Sequence, residues 1–131
     1  MNSHKPSAAT VNSRVEWSDT DAAGHYHHST VIRWVEAAEA ILLRSINHAD
    51  LFGVIPPVAY SATYRGRVWF GDVVTTTLTV ERMGTSSLTY RFEVISQTGP
   101  VADGTLTVAH TSTSSGTSTP WPASVRAALA V

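Results

Sequence analysis

Thr30-Val31-Ile32-Arg33-Trp34-Val35-Glu36-Ala37-Ala38-Glu39-Ala40-Ile41-Leu42-Leu43-Arg44-Ser45-Ile46 is the longest helical stretch in the sequence. Val31, Val35, Ala38, Leu42 and Ile46 recur at the spacing of one helix face, with Trp34 and Ile41 beside them. Arg33, Ala37, Ala40 and Arg44 fall roughly opposite. At about 1.5 Å per residue such a helix is near 25 Å long, enough to cross a small sheet. Its four charges, Arg33, Glu36, Glu39 and Arg44, rule it out as a membrane span. Ser29 or Thr30 is suited to cap its start.

Downstream the period changes. Asn47 to Pro57 is a loop broken by Gly53 and Pro56-Pro57. Val58, Tyr60, Ala62 and Tyr64 then alternate, as do Val74, Leu78 and Val80, then Leu88, Tyr90, Phe92 and Val94, then Leu106, Val108 and His110. Gly71-Asp72, Met83-Gly84-Thr85 and Thr98-Gly99-Pro100 separate the runs. Upstream, Val15 and Trp17 alternate with Arg14, Glu16 and Ser18, which reads as a short first strand. The expected architecture is α+β: one strand, one central helix, then a meander of four more strands in a five-stranded antiparallel sheet. A single domain is expected over residues 11–131, after a polar tail at 1–10. Ser112 to Pro120 reads as a flexible Ser/Thr-rich arm, and Pro122 to Ala130 as a closing helical turn or two. One helix covers only one sheet face, so the other is expected to be completed by a further subunit.

Composition narrows the function. Of the 131 residues 43% are hydrophobic and 15% charged, and the net charge is −1. Lys5 is the only lysine, which disfavours a nucleic-acid partner, since neutralising phosphates takes clustered cations. With no cysteine there is no disulfide framework, thiolate nucleophile or Cys-ligated metal site. Met1–Thr10 has no apolar run of the secretory kind, so a cytoplasmic location is expected and no membrane partner.

Chemistry concentrates in Asp19-Thr20-Asp21-Ala22-Ala23-Gly24-His25-Tyr26-His27-His28, directly before the helix. Backbone N–H groups at a helix N-terminus point outward and carry partial positive charge. They suit a developing oxyanion, while a nearby carboxylate supplies a base or nucleophile. Such a pairing serves acyl transfer where no Ser/His/Asp or Cys/His set is present. Asp19 and Asp21 are the two carboxylates at hand, and Asp19 is expected to order the loop. His25 and His27 share a face in an extended chain and, with Asp21, could ligate a metal. No second ligand cluster accompanies them, so neither metal nor cofactor is expected. Trp34, Tyr60, Tyr64 and Trp69 are open to an aromatic acyl pocket or to core packing. Arg65, Arg67, Arg82 and Arg91 are open to phosphate contacts or to simple solvation.

The run from Asp19-Thr20-Asp21-Ala22-Ala23-Gly24 through Arg33-Trp34-Val35-Glu36-Ala37-Ala38 resembles the signature of hotdog-fold acyl-CoA thioesterases, the 4-hydroxybenzoyl-CoA thioesterase group in particular. Gly71-Asp72 and the ending Pro120-Trp121-Pro122 are similar too, and the likeness spans roughly Val11 to Ala130. It implies a hotdog fold and hydrolysis of an acyl-CoA, or of a carrier-protein thioester. It further implies that Asp21 attacks the thioester carbonyl or activates water, and that the backbone N–H of His28 polarises that carbonyl. Glu36 matches a helix acid facing the acyl group; Tyr26 and His27, in the same loop, are further candidates to contact substrate. The active site is implied to lie between subunits of a homo-oligomer, dimer or tetramer. His25, His27 and Ser29-Thr30 depart from the family pattern, which bears on acyl specificity. Two other readings share the fold: a non-catalytic module that binds acyl-CoA, and an enoyl-CoA hydratase using an Asp/His pair.

Overall fold

The computed structural model describes residues 7–21, 28–113 and 116–129. In chain order they form β1 (Ala8–Arg14), α1 (Thr30–Ser45), β2 (Pro57–Tyr64), β3 (Val73–Met83), β4 (Ser87–Ser96), β5 (Gly99–Ala109) and α2 (Ala123–Ala128). The five strands make one antiparallel sheet in the order β1-β3-β4-β5-β2. This is the α+β architecture expected, with one long helix on one sheet.

The helix behaves as its period dictates. Val31, Val35, Ala38 and Leu42 are wholly buried, and Trp34 nearly so, against Leu78, Val80, Leu88, Tyr90, Phe92 and Val94 of the sheet. Burying each large aliphatic side chain contributes about 1.5–3 kcal/mol, so this face holds the helix in place. α1 packs mainly over β1 and β3. It therefore lies off-centre, towards one edge of the sheet.

Two expectations need correction. The first strand runs Ala8–Arg14, three residues into the expected tail, whereas Trp17 opens a short 3-10 turn and is 69% exposed. Val15, just past the strand, is still tied in, its N–H donating to the Asp72 carbonyl at 2.7 Å. β1 pairs with the threonine-rich β3 through small residues such as Ala8, Ala9 and Thr10, whose alternation is too weak to mark a strand. The second correction concerns topology. β2 does not pair with β3; residues 65–72 carry the chain to the other side of the sheet, and β2 lies beside β5 with Tyr60 opposite Leu106. Alternation identifies strands but says nothing of their partners.

The outer sheet face carries rows of threonine. Thr75 donates to Asn12 at 2.8 Å, the Thr89 and Thr107 hydroxyls lie 3.0 Å apart, and those of Thr10 and Thr77 3.4 Å. These hydroxyls meet across strands, with Val73 and Ile95 exposed on the same face. Apolar surface is left bare elsewhere, on β2, where Val58 is 60% and Tyr60 38% exposed.

Gly104 explains how closely β2 approaches β5. A Cβ built on it would lie 1.8 Å from the Ser61 carbonyl oxygen. Only glycine fits at that position. The close approach accompanies stacking of Tyr60 on Phe92, centroids 5.8 Å apart.

The expected flexible arm at 112–120 folds back in its described part. Thr111 bridges Ser118, and the Thr119 N–H donates to the His110 carbonyl at 2.9 Å. Trp121 closes the chain onto the sheet, its ring stacked on His110 and its Nε1–H donating to the Ser87 carbonyl at 3.0 Å. α2 forms where a closing helix was expected and buries Val125. Among the described residues, no helix is long and apolar enough to cross a membrane.

Candidate active site

The segment before α1 is fixed by one buried acid. Asp19 is 1% exposed and ends the 3-10 turn that starts at Trp17. Its Oδ2 accepts the Glu16 backbone N–H at 2.8 Å, and its Oδ1 accepts from Arg33 Nη2 at 2.7 Å. The Thr30 hydroxyl donates to the Asp19 carbonyl at 3.3 Å. Carboxylate and carbonyl together thus tie the loop to the first turn of α1. Asp19 orders the loop, as expected, and both of its carboxylate oxygens are engaged in doing so.

Asp21 follows two residues later and is half-buried. Asp19, two residues before it, is fastened to Thr30 and Arg33 in the first turn of α1. His28 lies at the same end, two residues before the helix begins. Tyr26 and His27, together with residues 22–25, lie outside the described residues.

The helix start itself departs from expectation. Ser29 occupies the cap position, but its hydroxyl makes no capping bond, and the Thr30 hydroxyl is turned back to Asp19. The His28 carbonyl accepts the Val31 N–H at 3.3 Å. It also accepts the Tyr64 hydroxyl at 3.4 Å, and the Tyr64 ring stacks on His28 with centroids 4.1 Å apart and planes at 9°. The end of β2 is thereby joined to the start of α1.

Glu36 is exposed. Glu39, one turn further on, carries no role that its place in the sequence would suggest, yet it is the more deeply placed acid. It sits about 60° closer to the buried face of the helix than Glu36, as 100° per residue requires. Its neighbour in the sheet is Tyr90 of β4, which is wholly buried. Glu39 Oε2 and Tyr90 Oη are both buried, and neither makes a bond of good hydrogen-bond geometry. Burial pushes the Glu39 carboxyl above the ordinary glutamate range; the Tyr90 hydroxyl opposes this, and repulsion from Glu36 adds to it. The Tyr90 phenol is pushed up as well, by burial first and then by the Glu39 carboxylate. Helical angle alone could have picked out Glu39; Tyr90 becomes apparent only once β4 is placed under the helix.

The remaining candidates divide. Trp34 is core, and Trp69 is 46% exposed. Arg65 is committed to Asp103, which accepts from both Nε and Nη2, and this holds the Asp103 carboxyl below its ordinary range. Among the described residues no three His, Asp or Glu side chains gather as a metal site.

A family profile described as the Thioesterase-like superfamily matches residues 15–129. Solved structures agree in fold. A 1,4-dihydroxy-2-naphthoyl-CoA thioesterase from Synechocystis is 18% identical, with TM-score 0.84 over 93% of this chain and 95% of its own. A predicted thioesterase from Bacillus stearothermophilus is 25% identical, with TM-score 0.85 over 93% of each. A thioesterase from Thermus thermophilus, solved with coenzyme A and Zn, is 20% identical, with TM-score 0.84 over 92% of this chain and 90% of that one. No curated protein matches the chain by sequence.

Proposed function

The chain belongs to the Thioesterase-like superfamily, and on that premise we propose that it hydrolyses an acyl-CoA, with Asp21 and the N-terminus of α1 as the reacting centre. The observation that carries this reading is the fastening of Asp19 to Thr30 and Arg33, which brings the following carboxylate to the helix end. A thioester carbonyl set there meets backbone donors on one side and Asp21 on the other. Either the Asp21 carboxylate adds to the carbonyl carbon, or it takes a proton from a water that does. Negative charge grows on the carbonyl oxygen, where the N–H of His28 stabilises it. Collapse breaks the C–S bond, and the thiolate leaves and takes up a proton; the water branch gives the carboxylate directly, while the nucleophilic branch leaves a mixed anhydride on Asp21 that a water then hydrolyses, freeing the Asp21 carboxylate and the product acid.

Coenzyme A is the thiol favoured, because relatives of the same fold act on a CoA ester or were solved with CoA. A carrier-protein thioester would undergo the same steps. No metal or cofactor is required by this chemistry. Tyr26, His27 and Glu36 are assigned to the acyl side of the site. A homo-oligomer follows from the bare apolar strip on β2, which a second subunit would cover. The compartment proposed is the cytoplasm.

Thiol release measured over a panel of aliphatic and aromatic acyl-CoAs tests the reaction and its substrate class together. Asp21→Asn should lower kcat at least about a hundredfold, the loss typical of a single catalytic electrostatic group. A folded Asp21→Asn protein with undiminished hydrolysis of every accepted ester would overturn the mechanism.

A further inference from the structure

Residues 14–20 lead from β1 to the proposed reacting carboxylate. Among them only Val15 puts an apolar side chain into the core, while Arg14, Glu16, Trp17 and Ser18 are exposed. Apolar packing therefore does little to place this segment, and its path is set by directed contacts.

Many of those contacts come from the turn at Trp69–Asp72. Asp72 closes that turn with both its backbone and its side chain. Its N–H donates to the Trp69 carbonyl at 3.0 Å, and its Oδ2 accepts the Trp69 N–H at 2.9 Å. Gly71, at φ +90°, supplies the left-handed step that lets the chain double back. Closed in this way, the turn grips residues 14–17. The Asp72 carbonyl accepts the Val15 N–H at 2.7 Å, and the Gly71 N–H donates to the Val15 carbonyl at 2.9 Å. These two bonds continue the β1–β3 ladder beyond Arg14 and Val73. The Gly71 carbonyl accepts from Arg14 Nη1 at 3.2 Å. The Phe70 ring stands edge-on to that of Trp17, with centroids 5.5 Å apart and planes at 89°.

From Trp17 the constraint passes along the chain. The Trp17 carbonyl accepts the Thr20 N–H at 3.1 Å and the Thr20 hydroxyl at 2.6 Å, and the Asp19 N–H donates to the Glu16 carbonyl at 2.9 Å. Asp21 is the next residue. The segment is thus held from two sides, by the turn at 69–72 and, through Asp19, by the first turn of α1.

We infer that Asp72 is a positioning residue for the Asp21 carboxylate, acting through the closed turn and the 3-10 turn at Trp17–Asp19. This rests on the proposed hydrolase site. Asp72 takes no part in the chemistry itself. Without its side chain the Trp69 N–H loses its acceptor, and the grip of the turn on Val15 and Trp17 slackens. Rate is steep in such displacements, by about a hundredfold for a shift of roughly 1 Å.

Asp72→Ala and Asp72→Asn test this, since the asparagine side-chain oxygen can still accept the Trp69 N–H. Asp72 is exposed, so both variants keep the core intact. Asp72→Ala should lower kcat by about tenfold or more per folded molecule, with KM changed less than about twofold, and Asp72→Asn should regain most of the loss. Added to Asp21→Asn, Asp72→Ala should lower the residual rate no further, because its effect runs through a carboxylate already removed. Losses that multiply would make Asp72 independent of Asp21 and overturn the inference. Amide hydrogen exchange reads the same grip without turnover. Asp72→Ala should speed exchange at the Asp19 and Thr20 N–H groups by about tenfold or more, while Tyr90 and Phe92 in β4 stay within about twofold of wild type. Faster exchange there in a protein whose wild type releases no thiol from any ester would retain the hold of Asp72 on the loop and overturn the hydrolase reading. Unchanged exchange at Asp19 and Thr20, or an active wild type whose kcat survives Asp72→Ala, would overturn the inference.

Discussion

The Tyr64 ring lies parallel to that of His28, 4.1 Å away, while its hydroxyl reaches the His28 carbonyl at 3.4 Å. A residue of the edge strand therefore holds the ring and the carbonyl of the residue whose N–H is assigned to the oxyanion. Tyr64→Leu removes both contacts and should lower kcat by about tenfold or more, since small misplacement of a catalytic donor is expensive in rate. Tyr64→Phe keeps the stack and should lose less. Steady-state kinetics of the two variants decide it; equal activity of Leu and wild type would remove Tyr64 from the site.

Asp19 and Arg33 differ in what they lose on substitution. Asp19→Ala removes the partner of the Glu16 N–H and of Arg33 and frees the loop, and should destabilise the chain by about 2–4 kcal/mol. Arg33 is 57% exposed, but Arg33→Ala leaves the Asp19 carboxylate, 1% exposed, without its cation and should cost about 1–3 kcal/mol, less than Asp19→Ala, which loses the Glu16 N–H bond as well. Urea unfolding of both proteins measures the difference. Asp19→Ala should also depress thiol release, because Asp21 is positioned through it.

Gly104→Ala forces a methyl group into the Ser61 carbonyl oxygen. Backbone must move, at a cost of about 1–3 kcal/mol. Thermal melting should register this, and the Tyr60–Phe92 stack should loosen with it. An unchanged melting temperature would contradict the close approach of β2 to β5.

Glu39 gives the chain a pH dependence. Its carboxyl is raised from 4.5 in the fold, so the folded state holds its proton more tightly than the unfolded state. The stability it contributes is complete below about 4.5 and is lost as pH rises through the folded value. Glu39→Gln removes that loss. The variant should melt a few degrees above wild type in mildly alkaline buffer, with the gap closing towards pH 4.5. A gap of constant size would show that Glu39 does not change its charge in this range.

Metal dependence is a further check on the chemistry. Dialysis against a chelator should leave kcat unchanged, and added Zn²⁺ should not raise it. A chelator-sensitive rate restored by metal would return His25 and His27 to consideration as ligands.

The helix was legible because its apolar face repeats every 3.6 residues across four turns, and four of the five strands because their alternation is strong. β1 was displaced because Ala8, Ala9 and Thr10 carry little hydrophobic contrast. The place of β2 was hidden for another reason: pairing is set by a connection, residues 65–72, whose path leaves no periodic trace. Asp21 and His28 could be read as the residues next to a helix start. Tyr64 and Tyr90 could not, since each acquires meaning only from an element distant in sequence.

The exposed Val58 and Tyr60 also affect how the chain's stability depends on dilution. Apolar surface that is wet in a lone folded subunit is wet in the unfolded chain too, and so contributes nothing to its folding. Under the proposed assembly that strip contributes only through association, and mass action then governs part of the melting temperature. Each tenfold rise in subunit concentration favours a dimer by about 1.4 kcal/mol. The protein should melt later when concentrated, while Val58→Ser, at a position 60% exposed, should flatten that dependence and leave the dilute melting point nearly where it was.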